Sequence, residues 1–230
     1  MSIVRQLIKR LLVASVGSHK LLVRGPRTRD SQTQLALTFD DGPDPQWTPR
    51  LLDALDRLSL KATFFVIGEK AAQRPDLIQR MVASGHEVAN HTFTHSEPSQ
   101  TSSQKFLEEI DRTDELLTSL TGLPCQTVRP PKGDLNWNKL RGLWQRQQTV
   151  ALWNVDPKDF RMQEDDEMSR WCQAYQPHDG DIVLMHDNHR FAELAVVALA
   201  NRGIFQQFTT VTLRQWRRDK ARHLQPHGGA

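Results

Sequence analysis

Leu35-Ala36-Leu37-Thr38-Phe39-Asp40-Asp41-Gly42-Pro43 drives a short apolar run into two adjacent carboxylates, then stops it with Gly-Pro. Paired carboxylates at the end of a buried strand repel each other and resist desolvation, so they call for a metal or a cationic partner. One Asp can then bind a metal while its neighbour acts on a proton. The plain alternative is a strand followed by an Asx turn. Downstream, His91 and His95 stand at i, i+4 and share one face if Thr92–His95 begins a helical turn. With Asp41 they make an Asp-His-His donor set with an open fourth position, the composition of a catalytic rather than a structural metal site.

Three further stretches carry chemistry. Arg129-Pro130-Pro131-Lys132-Gly133 is stiffened by two prolines and freed at its glycine, so it can aim a backbone N–H into a site while Arg129 pairs with a carboxylate. Trp153-Asn154-Val155-Asp156-Pro157-Lys158-Asp159-Phe160 joins an acid, Asp156, to aromatics that suit a sugar face, although Trp153 fits a core equally well. Ile182-Val183-Leu184-Met185-His186-Asp187 ends an apolar run on a histidine, a natural general acid toward an amine leaving group. Taken singly, these are a proline turn, a core tryptophan and a rim histidine. His86, His178 and His189 have no comparable partners and read as loop residues, with His189 a weak candidate for lining a cleft.

The elements that would position these residues alternate from Leu35 onward. Strands are expected at Leu35–Phe39, Ala62–Ile67, Glu87–Asn90, Thr127–Arg129, Val150–Asn154, Ile182–Met185 and Phe208–Val211. Helices are expected between them, at Thr48–Ser59, Glu69–Ser84, Ser103–Leu120, Asn138–Arg146, Asp165–Tyr175 and Arg190–Asn201. Thr48 precedes a first-turn proline, Gly85 follows a helix end, and the acidic run Glu164–Glu167 suits a helix's first turn rather than a metal. Roughly seven β–α repeats with short loops make an α/β fold with a parallel, barrel-like sheet sheathed in helices. In such a barrel the active site lies at the C-terminal strand ends, and the unusual polar residues fall there.

Composition bounds the rest. The 230 residues, 38% hydrophobic and 25% charged, suit one soluble domain. The net charge of +3 hides +6 over residues 1–30 and +4 over residues 211–230, which leaves an acidic body of −7. That body argues against a nucleic-acid groove, while the basic ends suit peripheral contact with a membrane surface or an anionic partner. Residues 3–12 read as an amphipathic helix, packed on the domain or lying on a membrane surface, and residues 216–230 as a basic, frayed tail. No convincing signal sequence or membrane-spanning run is present, so a cytoplasmic or membrane-surface location is favoured over secretion. Cys125 and Cys172, with no metal spacing, read as small buried hydrophobes.

Five motifs now stand in order: Thr38-Phe39-Asp40-Asp41-Gly42-Pro43, His91-Thr92-Phe93-Thr94-His95, Arg129-Pro130-Pro131-Lys132-Gly133, Asp156-Pro157-Lys158-Asp159-Phe160 and Leu184-Met185-His186. Over residues 33–215 the chain resembles the polysaccharide deacetylases of the NodB-homology group, carbohydrate esterase family 4. The resemblance implies a distorted, incomplete (β/α) barrel and a metal-dependent hydrolase that removes N-acetyl groups from an amino-sugar polysaccharide, oligosaccharide or glycolipid. It implies that Asp41, His91 and His95 hold a divalent metal, usually zinc, with cobalt or another ion able to substitute. Asp40 would be the base toward water, Arg129 would hold Asp40, and a backbone N–H near Lys132 would stabilise the oxyanion. His186 would protonate the leaving amine, tuned by Asp156. Leu184 would shape the acetyl pocket, with Pro131, Trp153 and Phe160 along the substrate path. Lys132 stands where the family usually has an aromatic, which makes that rim cationic and favours an acidic or phosphate-bearing glycan, and Phe160 stands where it usually has Trp. O-deacetylation and a non-catalytic carbohydrate-binding role are the competing readings.

Overall fold

A computed structural model describes residues 20–26 and 33–217. The expected N-terminal amphipathic helix and most of the expected basic tail lie outside the described residues. Eight strands form one sheet: β1 (Leu21–Leu22), β2 (Thr33–Asp40), β3 (Ala62–Val66), β4 (Glu87–Asn90), β5 (Thr127–Val128), β6 (Thr149–Ala151), β7 (Asp181–His186) and β8 (Phe208–Thr210). Their order is β1-β6-β5-β4-β3-β2-β7, with β8 against the start of β2, and every pairing is parallel. The sheet curls until its flanks meet. Below, Gly25 N–H donates to Gly180 O at 2.7 Å; above, a single parallel bridge joins Val155 to Val183. The result is an α/β, distorted and incomplete (β/α) barrel.

Helices cover its outside: α1 (Trp47–Arg57), α2 (Gly68–Gln73), α3 (Pro75–Ala83), α4 (Ser103–Thr121), α5 (Trp137–Gln145), α6 (Asp165–Ala174), α7 (Phe191–Asn201) and the short α8 (Ile204–Gln207). The single helix expected over Glu69–Ser84 is two, because Pro75 keeps Arg74 out of the helical region (φ −132°) and breaks the run there. Local chemistry sets several ends. Ser102 accepts from Lys105 N–H at the start of α4, and Gly122 ends it in the left-handed region at φ 67°. Glu164 and Glu167 form a capping box on α6, so the acidic run serves a helix terminus.

Side-chain alternation along β2 divides the core and builds the site. Leu35, Leu37 and Phe39 point outward into the helix-covered core. Ala36 points inward with Leu22, Phe65, Ala89, Ala151 and Ile182, and the parity carries Thr38 and Asp40 inward above them. Val211, Leu213 and Trp216 plug the lower barrel. Trp216 is fully buried, so the packed body reaches into the stretch expected as a tail, and β1 ties residues of the expected N-terminal segment to β6. Cys125 and Cys172 are free and buried. Among the described residues, no helix is long and apolar enough to cross a membrane.

Candidate active site

The site sits at the C-terminal ends of β2, β4, β5 and β7. Successive strand residues face opposite ways, yet both Asp40 and Asp41 reach His91: Asp40 Oδ2 lies 3.7 Å and Asp41 Oδ1 3.4 Å from its Nε2. The alternation breaks because Asp41 adopts a left-handed conformation (φ 73°), which Asp tolerates better than most residues. Lys70 Nζ fixes the turn by donating to Asp41 O at 2.7 Å. Gly42 is required next: a Cβ there would lie 2.1 Å from an oxygen of the buried Asp187 carboxylate.

His91 and His95 converge by a route the sequence does not show. The expected helical turn is absent; Thr92 and His95 are left-handed instead (φ 68° and 55°). Asn90 Oδ1 accepts from Thr92 N–H at 2.7 Å in an Asx-type turn, and Thr92 Oγ1 accepts from His95 N–H at 3.1 Å. Glu109 on α4 pins the loop by accepting from Thr94 N–H, Thr94 Oγ1 and Ser96 Oγ. His95 Nε2 thereby comes 3.4 Å from Asp41 Oδ1.

Three features fit this trio to a divalent cation. Donors of a tetrahedral ion lie about 2.1 Å from it and therefore about 3.4 Å from one another. Both Asp41–His separations have that value, and one ligand atom from each residue lies within 4.8 Å of the others. Asp41 Oδ1 is buried with no hydrogen-bond partner among the described residues. His91 Nδ1 lies 2.7 Å from Arg129 O, a carbonyl that can only accept, so Nδ1 carries the proton and the Nε2 lone pair faces Asp41. The electrostatics agree. Burial opposes ionisation of Asp41, but His91, His95 and His186 hold it well below the usual carboxylate range. Burial likewise opposes a charge on His91, and Asp40 and Asp41 overcome it, so this field favours a cation.

Arg129, just past β5, is buried at 0% exposure and holds Asp40 in place. Its Nη1 donates to Asp40 Oδ1 at 2.6 Å and Thr38 Oγ1 at 2.9 Å. Nε and Nη2 donate to the carbonyls of Ala151 and Leu152, at 3.2 and 3.1 Å. Its plane covers the Phe65 ring at 4.1 Å. Asp40 is left with Oδ2 facing the Asp41–His91–His95 trio. The loop that follows forms a tight turn over Pro131–Gly133 with Lys132 left-handed (φ 56°). Gly133 and Asp134 N–H groups are used within the turn, bonding Pro130 O and Pro131 O. The Lys132 side chain points to solvent and pairs with Glu97, which neutralises the rim charge expected there. Trp153 lies beneath this turn, packed against Gly133.

One expected pairing is corrected. Asp156 does not meet His186; its oxygens accept from Trp153 Nε1 at 3.2 Å and Lys158 N–H at 2.9 Å, and pair with Lys158 Nζ. A left-handed Lys158 (φ 65°) turns the chain so that Asp159, three residues past Asp156, enters the site fully buried. Asp159 Oδ1 lies 2.8 Å from His186 Nδ1, and Oδ2 accepts from His186 N–H at 2.7 Å. Burial disfavours the His186 cation, but Asp159, with Asp40 and Asp41 behind it, pushes its pKa up to about 9. The half-exposed Phe160 ring meets His186 edge-on at 5.6 Å. Leu184 is buried one inward step below His186, level with Thr38.

Sequence reasoning missed several residues. Thr48, expected at a helix start, lies inside α1, and its hydroxyl donates to Asp187 Oδ2 at 2.6 Å. Burial raises the Asp187 pKa to about 7. Glu109 gives no signal in a long amphipathic helix. Asp159 stood within a quoted motif, but spacing alone could not choose between it and Asp156.

Comparison with known proteins agrees with this geometry. Residues 27–150 match the family model described as polysaccharide deacetylase, a span that contains Asp40, Asp41, His91, His95 and Arg129. A chitooligosaccharide deacetylase of Bradyrhizobium sp. is 40% identical over 156 residues, 66% of this chain and 70% of the relative. A peptidoglycan-N-acetylglucosamine deacetylase of Bacillus cereus is 35% identical over 131 residues, 57% of this chain and 48% of the relative. The solved structure of the peptidoglycan deacetylase PdaC from Bacillus subtilis superposes with a TM-score of 0.74 at 33% identity, covering 84% of this chain and 93% of that one. The chain spans about half or less of the first of the full curated relatives it matches, 48% for that Bacillus cereus protein and 39% for PdaC. With the family model matched over more than half its length, the chain belongs to the polysaccharide deacetylase family.

Proposed function

We propose that this chain is a metal-dependent hydrolase that removes N-acetyl groups from an amino-sugar glycan. The observation that carries the reading is the convergence of three units on one cleft: the Asp41–His91–His95 trio, the Asp40–Arg129 pair and the His186–Asp159 pair. The relatives' names, chitooligosaccharide deacetylase and peptidoglycan-N-acetylglucosamine deacetylase, support an N-acetylated amino sugar as substrate.

Asp41, His91 and His95 would hold the ion, zinc by the match to two imidazoles and one carboxylate, with cobalt able to substitute. Bound there, it supplies Lewis acidity toward the acetyl carbonyl and lowers the pKa of the attacking water. The chain's own groups do the rest. Asp40 Oδ2, free of Arg129, accepts the proton of the attacking water. Arg129 keeps that carboxylate aimed by bonding its other oxygen. The Lys132 N–H, left over by the hydrogen bonds of its own turn, donates to the developing oxyanion. His186 donates a proton from Nε2 to the departing nitrogen while Asp159 holds Nδ1. Leu184 bounds the acetyl methyl, and Pro131, Trp153 and Phe160 flank the sugar path.

The His186–Asp159 pair favours the amide over an O-acetyl ester. An amine is a poor leaving group unless protonated, whereas an alkoxide from an activated ester needs less help. The test is acetate release from N-acetylglucosamine oligomers by protein stripped with chelator and reloaded with zinc or cobalt. Release restored by metal and absent from Asp40→Asn is the expected result. A reloaded chain that binds metal but releases no acetate from any N-acetylated glycan would refute the reading.

A further inference from the structure

A second cluster of ligand types stands beside the first. One donor atom each from Asp159, His186 and His189 lies within 4.8 Å of the others. His186 Nδ1 is 2.8 Å from Asp159 Oδ1, and His189 Nε2 is 3.7 Å from Asp159 Oδ2. The Asp159 carboxylate is fully buried. The His189 ring packs edge-on against Phe191 at 5.4 Å and tilts against His186 at 6.0 Å. Both its ring nitrogens are buried, and neither makes a hydrogen bond among the described residues. A half-buried imidazole whose two nitrogens are both covered and idle, facing a buried carboxylate and a second imidazole, is an incomplete structural arrangement but a reasonable ligand set.

We propose that Asp159, His186 and His189 form a second, weaker site for a divalent transition metal, and that filling it inhibits the enzyme. The chemistry balances simply. The ion takes the place of the proton on His186 Nδ1, which passes to solvent, and bonds that nitrogen together with Asp159 and His189 Nε2. His186 then changes from an imidazolium to a metal-bound neutral imidazole whose remaining Nε2–H is no acid near neutral pH. The leaving amine loses its proton donor.

Geometry sets the order of filling. In the first trio both Asp–His separations equal the ~3.4 Å edge of a zinc tetrahedron. In the second they are 2.8 and 3.7 Å, so side chains must shift to receive the ion. Asp159 must also surrender its hydrogen bond to the His186 ring. An ion already present at Asp41 repels a second in the same cleft. The second site therefore fills only in excess metal.

The site itself stands apart from the proposed function, whereas the inhibition rests on His186 being the acid, so the experiment reads the two separately. Metal-free full-length protein is titrated with Zn2+ and with Co2+. Equilibrium dialysis counts bound ions, Co2+ absorption reports their coordination, and deacetylation is followed in parallel. Two classes of site are expected in the parent, with activity rising as the first fills and falling as the second does. His189→Gln, and independently His189→Ala, should lose the weak class and move the inhibitory limb to at least tenfold higher metal. His178→Ala, at an exposed histidine, should change neither. Asp41→Asn should lose the tight class and keep the weak one. A weak class unchanged in both His189 variants, or a parent that binds one ion throughout the inhibitory range, overturns the site. A second ion bound with no fall in activity overturns the inhibition and removes His186 from its role as acid, while leaving the first site's metal chemistry standing.

Discussion

Replacing Asp159 by Asn tests the assignment of His186 most directly, because it removes charge while keeping shape. Asp159 is the leading influence that raises His186 to a pKa of about 9; burial works against it. Without the carboxylate, burial remains, and the imidazole falls to or below its ordinary value of about 6.5. At pH 8 the protonated share then drops from roughly nine-tenths to a few per cent, about a 30-fold loss of competent acid. A divalent cation in the cleft lowers the pKa in parent and variant alike, so the difference between them is the quantity to measure. The assay is kcat/KM for acetate release from pH 5 to 10 in the parent, Asp159→Asn and Asp156→Asn. In Asp159→Asn the basic limb should move at least two pH units toward acid, with activity below pH 6 approaching the parent's. In Asp156→Asn it should stay in place, since that carboxylate is held by Trp153 and Lys158. A uniform loss at every pH with the limb unmoved, or a limb that moves in Asp156→Asn instead, would refute the reasoning.

Other substitutions probe the scaffold beneath the chemistry. Gly42→Ala drives a methyl into the Asp187 carboxylate, 2.1 Å from its nearest oxygen, so it should displace the Asp41 turn and weaken zinc binding at least tenfold by competition with a chromogenic chelator. Arg129→Met leaves Asp40 buried without its cation and orphans two carbonyls; urea unfolding should show a loss of about 3–5 kcal/mol, partly recovered by adding Asp40→Asn. Asp187 carries a pKa of about 7, above the roughly 3.9 of an unfolded chain, so between those values only the folded state keeps the proton. Stability of the metal-free parent should therefore fall as pH rises from 4 to 7. Asp187→Asn should abolish that slope and gain on the order of a few kcal/mol over the parent at pH 8, read from urea midpoints across pH.

Strand periodicity made most of the barrel legible. The apolar runs at Leu35–Phe39, Ala62–Ile67 and Ile182–Met185 mark buried strands, and their polar ends mark the rim of the candidate site. β1 went unseen because its two residues leave no period to read, only a pairing with β6 supplied by the finished fold. The convergence of Asp41, His91 and His95 was legible by residue type but not by conformation. An i, i+4 pair suggests a helix, whereas this loop brings its imidazoles together through left-handed Thr92 and His95 and the distant Glu109. The Asp156–Asp159 choice failed for the same reason. Which of two nearby acids turns inward depends on the sign of φ at Lys158, and that sign is not written in spacing. Backbone handedness, rather than residue identity, is what the sequence concealed at each of these points.

The charges gathered in the cleft explain why its parts depend on one another. Arg129 and a protonated His186 supply two positive charges against the carboxylates of Asp40, Asp41 and Asp159, while burial keeps Asp187 largely neutral below about pH 7. The cleft thus holds one net negative charge in a setting where exposed solvent cannot screen it, which attracts a dication. With that ion present the balance becomes positive by one. The oxyanion that develops during amide hydrolysis then forms in a positive field, while Asp40 keeps the proton released by the water. Arg129 is central to this balance even though it sits beneath the reacting atoms. Removing it would make the empty cleft more negative and strengthen ion capture, yet it would also release Asp40 from Oδ1 and loosen the barrel's centre. Tighter metal binding with slower turnover is the signature of that exchange, and it separates a residue that positions the base from one that merely holds the fold.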